Sequence, residues 1–209
     1  MSNKVYTPRE YYFEKYHKTD PAEATKRTGI TYDENENRFT IPVLNHTLYV
    51  KWPDFMLIPV NEHCPKSLYS FQMEIIIVRY LIEGRNVPGS GQFKAYRDLP
   101  WGDVYDKNFS GRCIKRFANT FGTRIDSFRK AAEYLGGTGL TQSDAGYDFV
   151  FLPDILCRLL LWVPDEEFGS SAQFLFSDNI QFAFNAEDLA VIGDILISTL
   201  SEITKTFKE

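Results

Sequence analysis

Ile155-Leu156-Cys157-Arg158-Leu159-Leu160-Leu161-Trp162 is the stretch from which the fold is best predicted. Turn-forming pairs bound it on both sides, with Pro153-Asp154 before it and Pro164-Asp165 after it. A short apolar run between turns predicts a buried strand. Because side chains alternate between the two faces of a strand, Arg158 falls in an otherwise apolar row.

Arg158 requires an acidic partner, because an unpaired buried charge is strongly destabilising. The candidate carboxylates follow the strand, in Asp165-Glu166-Glu167 and at Asp178. The structural interpretation is a turn whose acids form salt bridges with Arg158. Two alternatives remain open: a Mg²⁺ or Ca²⁺ site formed by Asp165, Glu167 and Asp178, and a carboxylate pair for general acid–base chemistry. We call the following set the acidic corner: Arg158, Trp162, Asp165, Glu166, Glu167 and Asp178.

The segments that flank this strand predict an antiparallel sheet followed by a helix. Residues 147–152 and 172–176 have the composition of strands, and residues 180–184 are predicted as a further strand after a tight turn. Asn185 then caps a C-terminal amphipathic helix, with Asp188 three residues after the cap. The acids in the first turn of this helix interact favourably with the helix dipole.

The N-terminal half predicts helices around a small antiparallel meander. Two capping residues, each followed by proline, begin two helices, the second of which ends at Gly29. Residues 38–44 and 47–52 are β-rich and are joined by Asn45-His46. Residues 68–83 carry apolar side chains at every third or fourth position, which predicts a buried helix.

Residues 97–105 mix aromatic and hydrogen-bonding side chains, as ligand-binding loops do. This candidate loop precedes two predicted helices, at residues 106–119 and 124–135. The alternative interpretation is a plain surface loop that Trp101 fixes to the domain. The residues of interest in this region are Trp101, Gly102, Tyr105 and Arg112.

Other motifs are too incomplete to define a site. Residues 88–91 form a glycine-rich turn but lack the spacing of a phosphate-binding loop. His63-Cys64 is a single pair of soft metal ligands, whereas zinc requires about four ligands. Cys113 has no histidine close to it in sequence that could act as its base. The sequence therefore predicts no metal site and no cofactor.

The composition predicts one domain with a substantial core. The chain has 209 residues, of which 44% are hydrophobic, and a net charge of −5. We expect residues 1–209 to form a single α+β domain, with a mostly antiparallel sheet, helices packed on it and a C-terminal amphipathic helix. The negative charge argues against nucleic acids and membranes as partners. Unpaired cysteines and an N-terminus without an apolar signal segment predict a cytoplasmic protein.

Two groups of motifs carry a resemblance to a known family. The first is Trp162-x-x-Asp165-Glu166-Glu167-Phe168, followed by Phe174-Leu175-Phe176-x-Asp178 and Glu187-Asp188-Leu189. The second comprises Gly91-x-Phe93, Leu99-Pro100-x-Gly102-x-x-Tyr105 and Arg112. In these motifs the chain resembles an uncharacterised domain-of-unknown-function family found mainly in anaerobic bacteria and archaea. Some relatives are similar to fusions with ferredoxin-type iron–sulfur segments and lie near corrinoid or one-carbon proteins, whereas this chain has no cysteine cluster for an iron–sulfur centre.

Two hypotheses about function follow. The leading one is a noncatalytic accessory or ligand-binding module of anaerobic metabolism, including corrinoid or one-carbon metabolism, that binds a small molecule or a protein partner. The alternative is a hydrolase or transferase that uses Asp165, Glu166, Glu167 and Asp178, with or without a divalent cation. The position of these carboxylates distinguishes the two, since an enzyme requires them to converge on an open pocket rather than to pair with Arg158.

Overall fold

A computed structural model describes residues 7–207, in which helices pack on two antiparallel sheets. The helices are α1 (Pro8–His17), α2 (Pro21–Thr28), α3 (Phe71–Glu83), α4 (Gly102–Phe109), α5 (Arg116–Phe121), α6 (Ile125–Tyr134) and α7 (Ala186–Thr206). The strands are β1 (Thr31–Asp33), β2 (Arg38–Val43), β3 (His46–Lys51), β4 (Met56–Pro59), β5 (Phe93–Ala95), β6 (Thr138–Leu140), β7 (Ala145–Leu152), β8 (Ile155–Trp162) and β9 (Ser171–Ser177). The predicted single-domain α+β fold is confirmed.

Strand β8 lies at the centre of the larger sheet. The strand order is β5-β9-β8-β7-β6, and every neighbouring pair is antiparallel. The turn between β7 and β8 places Asp154 at a φ of 62°, a left-handed conformation that aspartate tolerates better than most residues. Along β8, Cys157 and Leu159 are fully buried, whereas Arg158 is only partly buried. The predicted separation of the two faces is therefore confirmed at these positions.

The prediction of a strand at residues 180–184 is wrong. Residues Asp178–Phe182 form a 3₁₀ turn instead. The buried Asn179 side chain donates hydrogen bonds of 2.8 Å to the carbonyl oxygens of Val87 and Asp154. Because these bonds hold the turn against two neighbouring loops, the chain closes local hydrogen bonds here and does not extend along the sheet.

The smaller sheet has the strand order β1-β2-β3-β4 and is antiparallel throughout. It contains the predicted meander and adds the short edge strands β1 and β4. Leu44 and Asn45 have φ values of 48° and 54°, so they form the central pair of the turn between β2 and β3. The turn therefore lies one residue before the predicted Asn45-His46.

Helix ends follow the capping signals. Thr7 and Glu10 form a reciprocal capping box at the start of α1. Gly29 ends α2 in the left-handed conformation, with a φ of 72°. Asn185 and Asp188 form a second capping box at α7, as predicted. Helix α3 begins at Phe71, after a 3₁₀ turn that occupies the first residues of the predicted helix.

Residues 97–105 do not form one continuous loop. A 3₁₀ turn covers Tyr96–Asp98, and α4 begins at Gly102, four residues earlier than the predicted helix. Helix α4 continues through a π-helical segment, Ser110–Lys115, directly into α5. The start of α4 lies close to the preceding 3₁₀ turn: a Cβ atom at position 102 would lie 1.8 Å from the carbonyl oxygen of Tyr96, so only glycine fits there.

Helix α7 forms the centre of the core and packs against α3, α4 and α6. Its buried side chains include Leu189, Ile192, Leu196 and Leu200. Helices α5 and α6 contact the larger sheet at β8 and β7, respectively. Among the helices between residues 7 and 207, none is both long enough and apolar enough to span a lipid bilayer.

Candidate functional site

The acidic corner does not form one site. Arg158 binds Asp148 on the neighbouring strand β7 through two hydrogen bonds, Nε to Oδ1 at 2.7 Å and Nη2 to Oδ2 at 2.8 Å. Its guanidinium also lies 3.8 Å from the centre of the Phe93 ring. The structural interpretation was therefore right that Arg158 has a carboxylate partner and wrong about which one, because Asp148 lies directly opposite it in the sheet register.

Asp165 is bound within its own turn. Its Oδ1 atom accepts hydrogen bonds from the backbone N–H groups of Glu167, at 2.9 Å, and Phe168, at 2.7 Å. The bonds from Phe168 and Glu167 lower the pKa of Asp165. Glu166 and Glu167 are exposed on the same loop, and Trp162 is half-buried at the end of β8. This segment is a side-chain-capped turn.

Asp178 performs a similar structural task at a different place. Its carboxylate accepts hydrogen bonds from the Ser90 backbone N–H, at 3.0 Å, and from the Ser90 hydroxyl, at 2.7 Å. The hydroxyl bond is the main cause of a lowered pKa for Asp178. In the glycine-rich turn at residues 88–91, the Ser90 backbone N–H therefore donates its hydrogen bond to a carboxylate of the chain itself.

The cysteines considered as nucleophiles or metal ligands are buried. Burial raises the pKa of Cys113 to about 12 and that of Cys64 to about 11, so neither thiol is ionised near neutral pH. Cys157 is fully buried, and its pKa is raised as well. Within residues 7–207, no group of three or more His, Cys, Asp or Glu side chains is arranged to hold a metal ion.

The candidate loop, by contrast, contributes to a cleft between α4 and α7. The cleft has a volume of about 240 Å³. Tyr105 and Arg112, both identified in the sequence, lie on its α4 side, and Glu187 lies on its α7 side. The full lining comprises Tyr96, Tyr105, Asn108, Phe109, Arg112, Glu187 and Ala190.

Two stacked, almost fully buried aromatic rings line this α4–α7 cleft on its core side. The rings of Tyr96 and Phe109 are nearly parallel, at an interplanar angle of 3°, and their centres are 4.1 Å apart. The Tyr96 hydroxyl donates a 2.8 Å hydrogen bond to the carbonyl oxygen of Ala186. Burial raises the pKa of Tyr96 to about 12, so this group remains a neutral hydrogen-bond donor. The lining is therefore rigid on this side.

The charged side chains of the cleft come from opposite helices. Arg112 lies in the π-helical segment and donates from Nη2 to Asp194 of α7, at 2.6 Å. Arg116 also binds Asp194, so one carboxylate is shared by two guanidinium groups. Glu187 forms no salt bridge with Arg112, although both line the cleft. The cleft therefore presents a cation and an anion that do not neutralise each other by direct contact.

Close helix packing explains why glycine occurs beside the cleft. A Cβ atom at Gly193 of α7 would lie 2.9 Å from the Cys113 sulfur and 3.2 Å from the Phe109 ring. Gly193 thus allows α7 to approach α4 and the π-helical segment. Such π-helical segments occur frequently at functional sites, where they change the direction of side chains.

A second cleft lies on the other side of the first turn of α7. It has a volume of about 380 Å³, and its lining includes Trp101, Phe182, Arg79 and Asp188. Arg79 of α3 donates to Asp188 at 2.8 Å. Burial raises the pKa of Asp188 to about 6, despite the opposing effects of Arg79 and the Asn185 N–H group. Trp101 is 75% exposed and does not fix the loop to the domain, so that alternative interpretation is wrong.

Sequence reasoning missed part of the α4–α7 cleft. Asn108 was not identified, although it lies three residues after Tyr105 and four before Arg112, a spacing that places all three on one helix face. Glu187 was interpreted only as a first-turn acid of α7. Tyr96 was not identified either. Their convergence depends on how α4 and α7 pack, which the sequence does not specify.

A comparison with family models gives one match. The model described as "Domain of unknown function (DUF3786)" matches residues 20–199, which is most of the chain and includes every residue that lines the α4–α7 cleft. No curated protein and no solved structure matches the chain.

Proposed function

We propose that this chain, which belongs to the DUF3786 family of domains of unknown function, is a noncatalytic ligand-binding module. Its binding site is the α4–α7 cleft. The observation that carries the proposal is the presence of Arg112 and Glu187 in one small cleft without an ion pair between them. A bound molecule that contacts both would complete their interactions.

The cleft favours a small zwitterion with one apolar face. Arg112 supplies donors for a carboxylate, because only Nη2 of its guanidinium is committed to Asp194. Glu187 supplies an acceptor for an ammonium group, and Asn108 can both donate and accept. The Tyr105 ring, which is 53% exposed, offers an apolar surface. Small-molecule sites commonly combine such a surface with a few convergent polar groups.

The wider setting of the proposal comes from the family resemblance. The motifs Leu99-Pro100-x-Gly102-x-x-Tyr105 and Arg112 resemble those of proteins from anaerobic bacteria and archaea, some of them near corrinoid or one-carbon proteins. Tyr105 and Arg112 from those motifs line the cleft. We propose that the module acts in the cytoplasm as an accessory protein of such metabolism.

Binding can be tested with three probes that differ only in their charged groups: phenylalanine, 3-phenylpropionate and phenethylamine. We expect phenylalanine to raise the thermal midpoint and to shift NMR signals of α4 and α7, and the two singly charged probes to bind at least tenfold more weakly. NMR should also show that phenylalanine remains chemically unchanged after prolonged incubation.

Substitutions in the α4–α7 cleft test whether it is the binding site. Arg112→Gln and Glu187→Gln should each abolish the preference for the zwitterion, whereas Glu166→Gln, an exposed acid in another loop, should not. Equal binding of all three probes, absence of binding, or unchanged binding by Arg112→Gln would contradict the proposal.

A further inference from the structure

The first turn of α4 exposes an apolar stripe to solvent. Trp101, Val104 and Tyr105 follow one another at helical spacing and are 75%, 63% and 53% exposed. Phe182, which is 51% exposed, lines the 380 Å³ cleft together with Trp101. We call these four residues the α4 surface. Single exposed apolar side chains are common, but a contiguous group of this size marks an interaction site.

The backbone holds Trp101 in this exposed position at an energetic cost. Its φ is 64°, a left-handed conformation that is unfavourable for a residue with a side chain. The indole ring does not recover this cost by burial within the described chain. Tryptophan is the residue type most enriched among the energetically dominant contacts of protein interfaces.

The charge around the α4 surface defines the kind of partner. Carboxylates outnumber cations on the segments that carry it, and the chain as a whole has a net charge of −5. Arg79 is already bound to Asp188 and Glu83. Outside the buried Arg79–Asp188 pair, the acids are Glu83, Asp98, Asp103, Asp106 and Glu187, and the cations are Arg97, Lys107 and Arg112. A second copy of this chain would bring like charges together, whereas a basic partner is complementary.

We infer that the α4 surface binds a basic amphipathic helix of a partner protein. The apolar face of such a helix would cover Trp101, Val104 and Phe182, and its lysine or arginine side chains would face the surrounding carboxylates. This inference does not rest on the proposed zwitterion site: Tyr105 borders both, but Trp101 and Phe182 line the other cleft.

The probe is a fluorescein-labelled helical peptide with leucine on one face and lysine on the other. A control peptide carries glutamate in place of every lysine. We expect the lysine peptide to bind the full chain in an anisotropy titration, and the glutamate peptide to bind at least tenfold more weakly.

Trp101→Gly is the decisive variant, because glycine adopts the same φ without strain and the chain remains folded. It should weaken binding of the lysine peptide by roughly tenfold or more. Val60→Ser, at a 48% exposed position after β4, is the matched control for Val104→Ser, and only the latter should weaken binding. Arg112→Gln removes a cation beside the α4 surface and should not weaken binding of the lysine peptide, which separates this test from that of the zwitterion site.

Three outcomes would overturn the inference. The first is no binding of the lysine peptide, or equal binding of both peptides. The second is unchanged binding by Trp101→Gly. The third is a dimer, seen by light scattering, that Trp101→Gly dissociates, since this would assign the α4 surface to a second copy of the chain.

Discussion

At the scale of single residues, Arg158 shows how a buried charge is accommodated in a sheet. Its guanidinium binds both oxygens of Asp148 and lies over the Phe93 ring. The side chains of the pair are 17% and 15% exposed, so solvent screens their interaction only partly. The acids of the loop after β8 have no part in this pair.

Removing the partner of Arg158 should therefore destabilise the protein. We expect Asp148→Asn to lower the free energy of unfolding by about 3 kcal/mol, because the guanidinium stays in the sheet without a counter-charge. Urea unfolding checks this value. Glu166→Gln is the control and should change the free energy by less than about 0.5 kcal/mol. A loss at Glu166→Gln comparable to that at Asp148→Asn would mean that the acidic corner acts as the salt-bridge cluster first predicted.

At the scale of secondary structure, helix α4 depends on a close approach that only glycine permits. At Gly102, an added Cβ atom would meet the Tyr96 carbonyl oxygen at 1.8 Å. At Gly111, within the continuing π-helical segment, an added Cβ atom would meet no heavy atom within 4 Å apart from the helix's own backbone and adjacent residues. Replacing these two glycines by alanine is therefore expected to change the stability of the fold in opposite directions, although both lie on one continuous helix.

Gly102→Ala should destabilise the fold by about 2–3 kcal/mol, since backbone must move to relieve the clash. Gly111→Ala should instead stabilise it by about 0.5–1 kcal/mol, because alanine restricts the unfolded chain and favours helix. Thermal and urea unfolding of both variants measure the difference. A Gly102→Ala protein as stable as the wild type would show that α4 begins elsewhere.

At the scale of the whole molecule, the Arg79–Asp188 pair joins α3 to the central helix α7 and links stability to pH. Burial raises the pKa of Asp188 from 3.8 to about 6. Between these pH values the folded chain holds a proton that the unfolded chain has released. The stabilising contribution of this group is therefore complete below about pH 4 and decreases as the pH rises through about 6.

Asp188→Asn removes this titration. Relative to the variant, the wild type should lose up to about 3 kcal/mol of unfolding free energy between about pH 4 and pH 7, which corresponds to the shift of the Asp188 pKa. Urea unfolding of both proteins at each pH gives the difference, in which the other titrating groups cancel. If the two proteins show parallel pH profiles, Asp188 does not titrate with a raised pKa.

The sequence by itself determined the elements whose signals are local. A short apolar run between two turns specifies β8, and the capping residues at Thr7 and Asn185 specify the starts of α1 and α7. Local signals were also enough to identify Tyr105 as a residue of interest, and the family resemblance added Arg112. These predictions succeed because each depends on a few neighbouring residues and on backbone hydrogen bonds that close nearby.

Only the tertiary structure decided which distant side chains meet. The partner of Arg158 follows from the register between β7 and β8, and the joint lining of one cleft by Arg112 and Glu187 follows from the packing of α4 on α7. Several carboxylates are chemically acceptable partners for Arg158, and the sequence does not show that Asp148 is the one opposite it. Strand register and helix packing are set by the burial of the whole core, so no local pattern contains them.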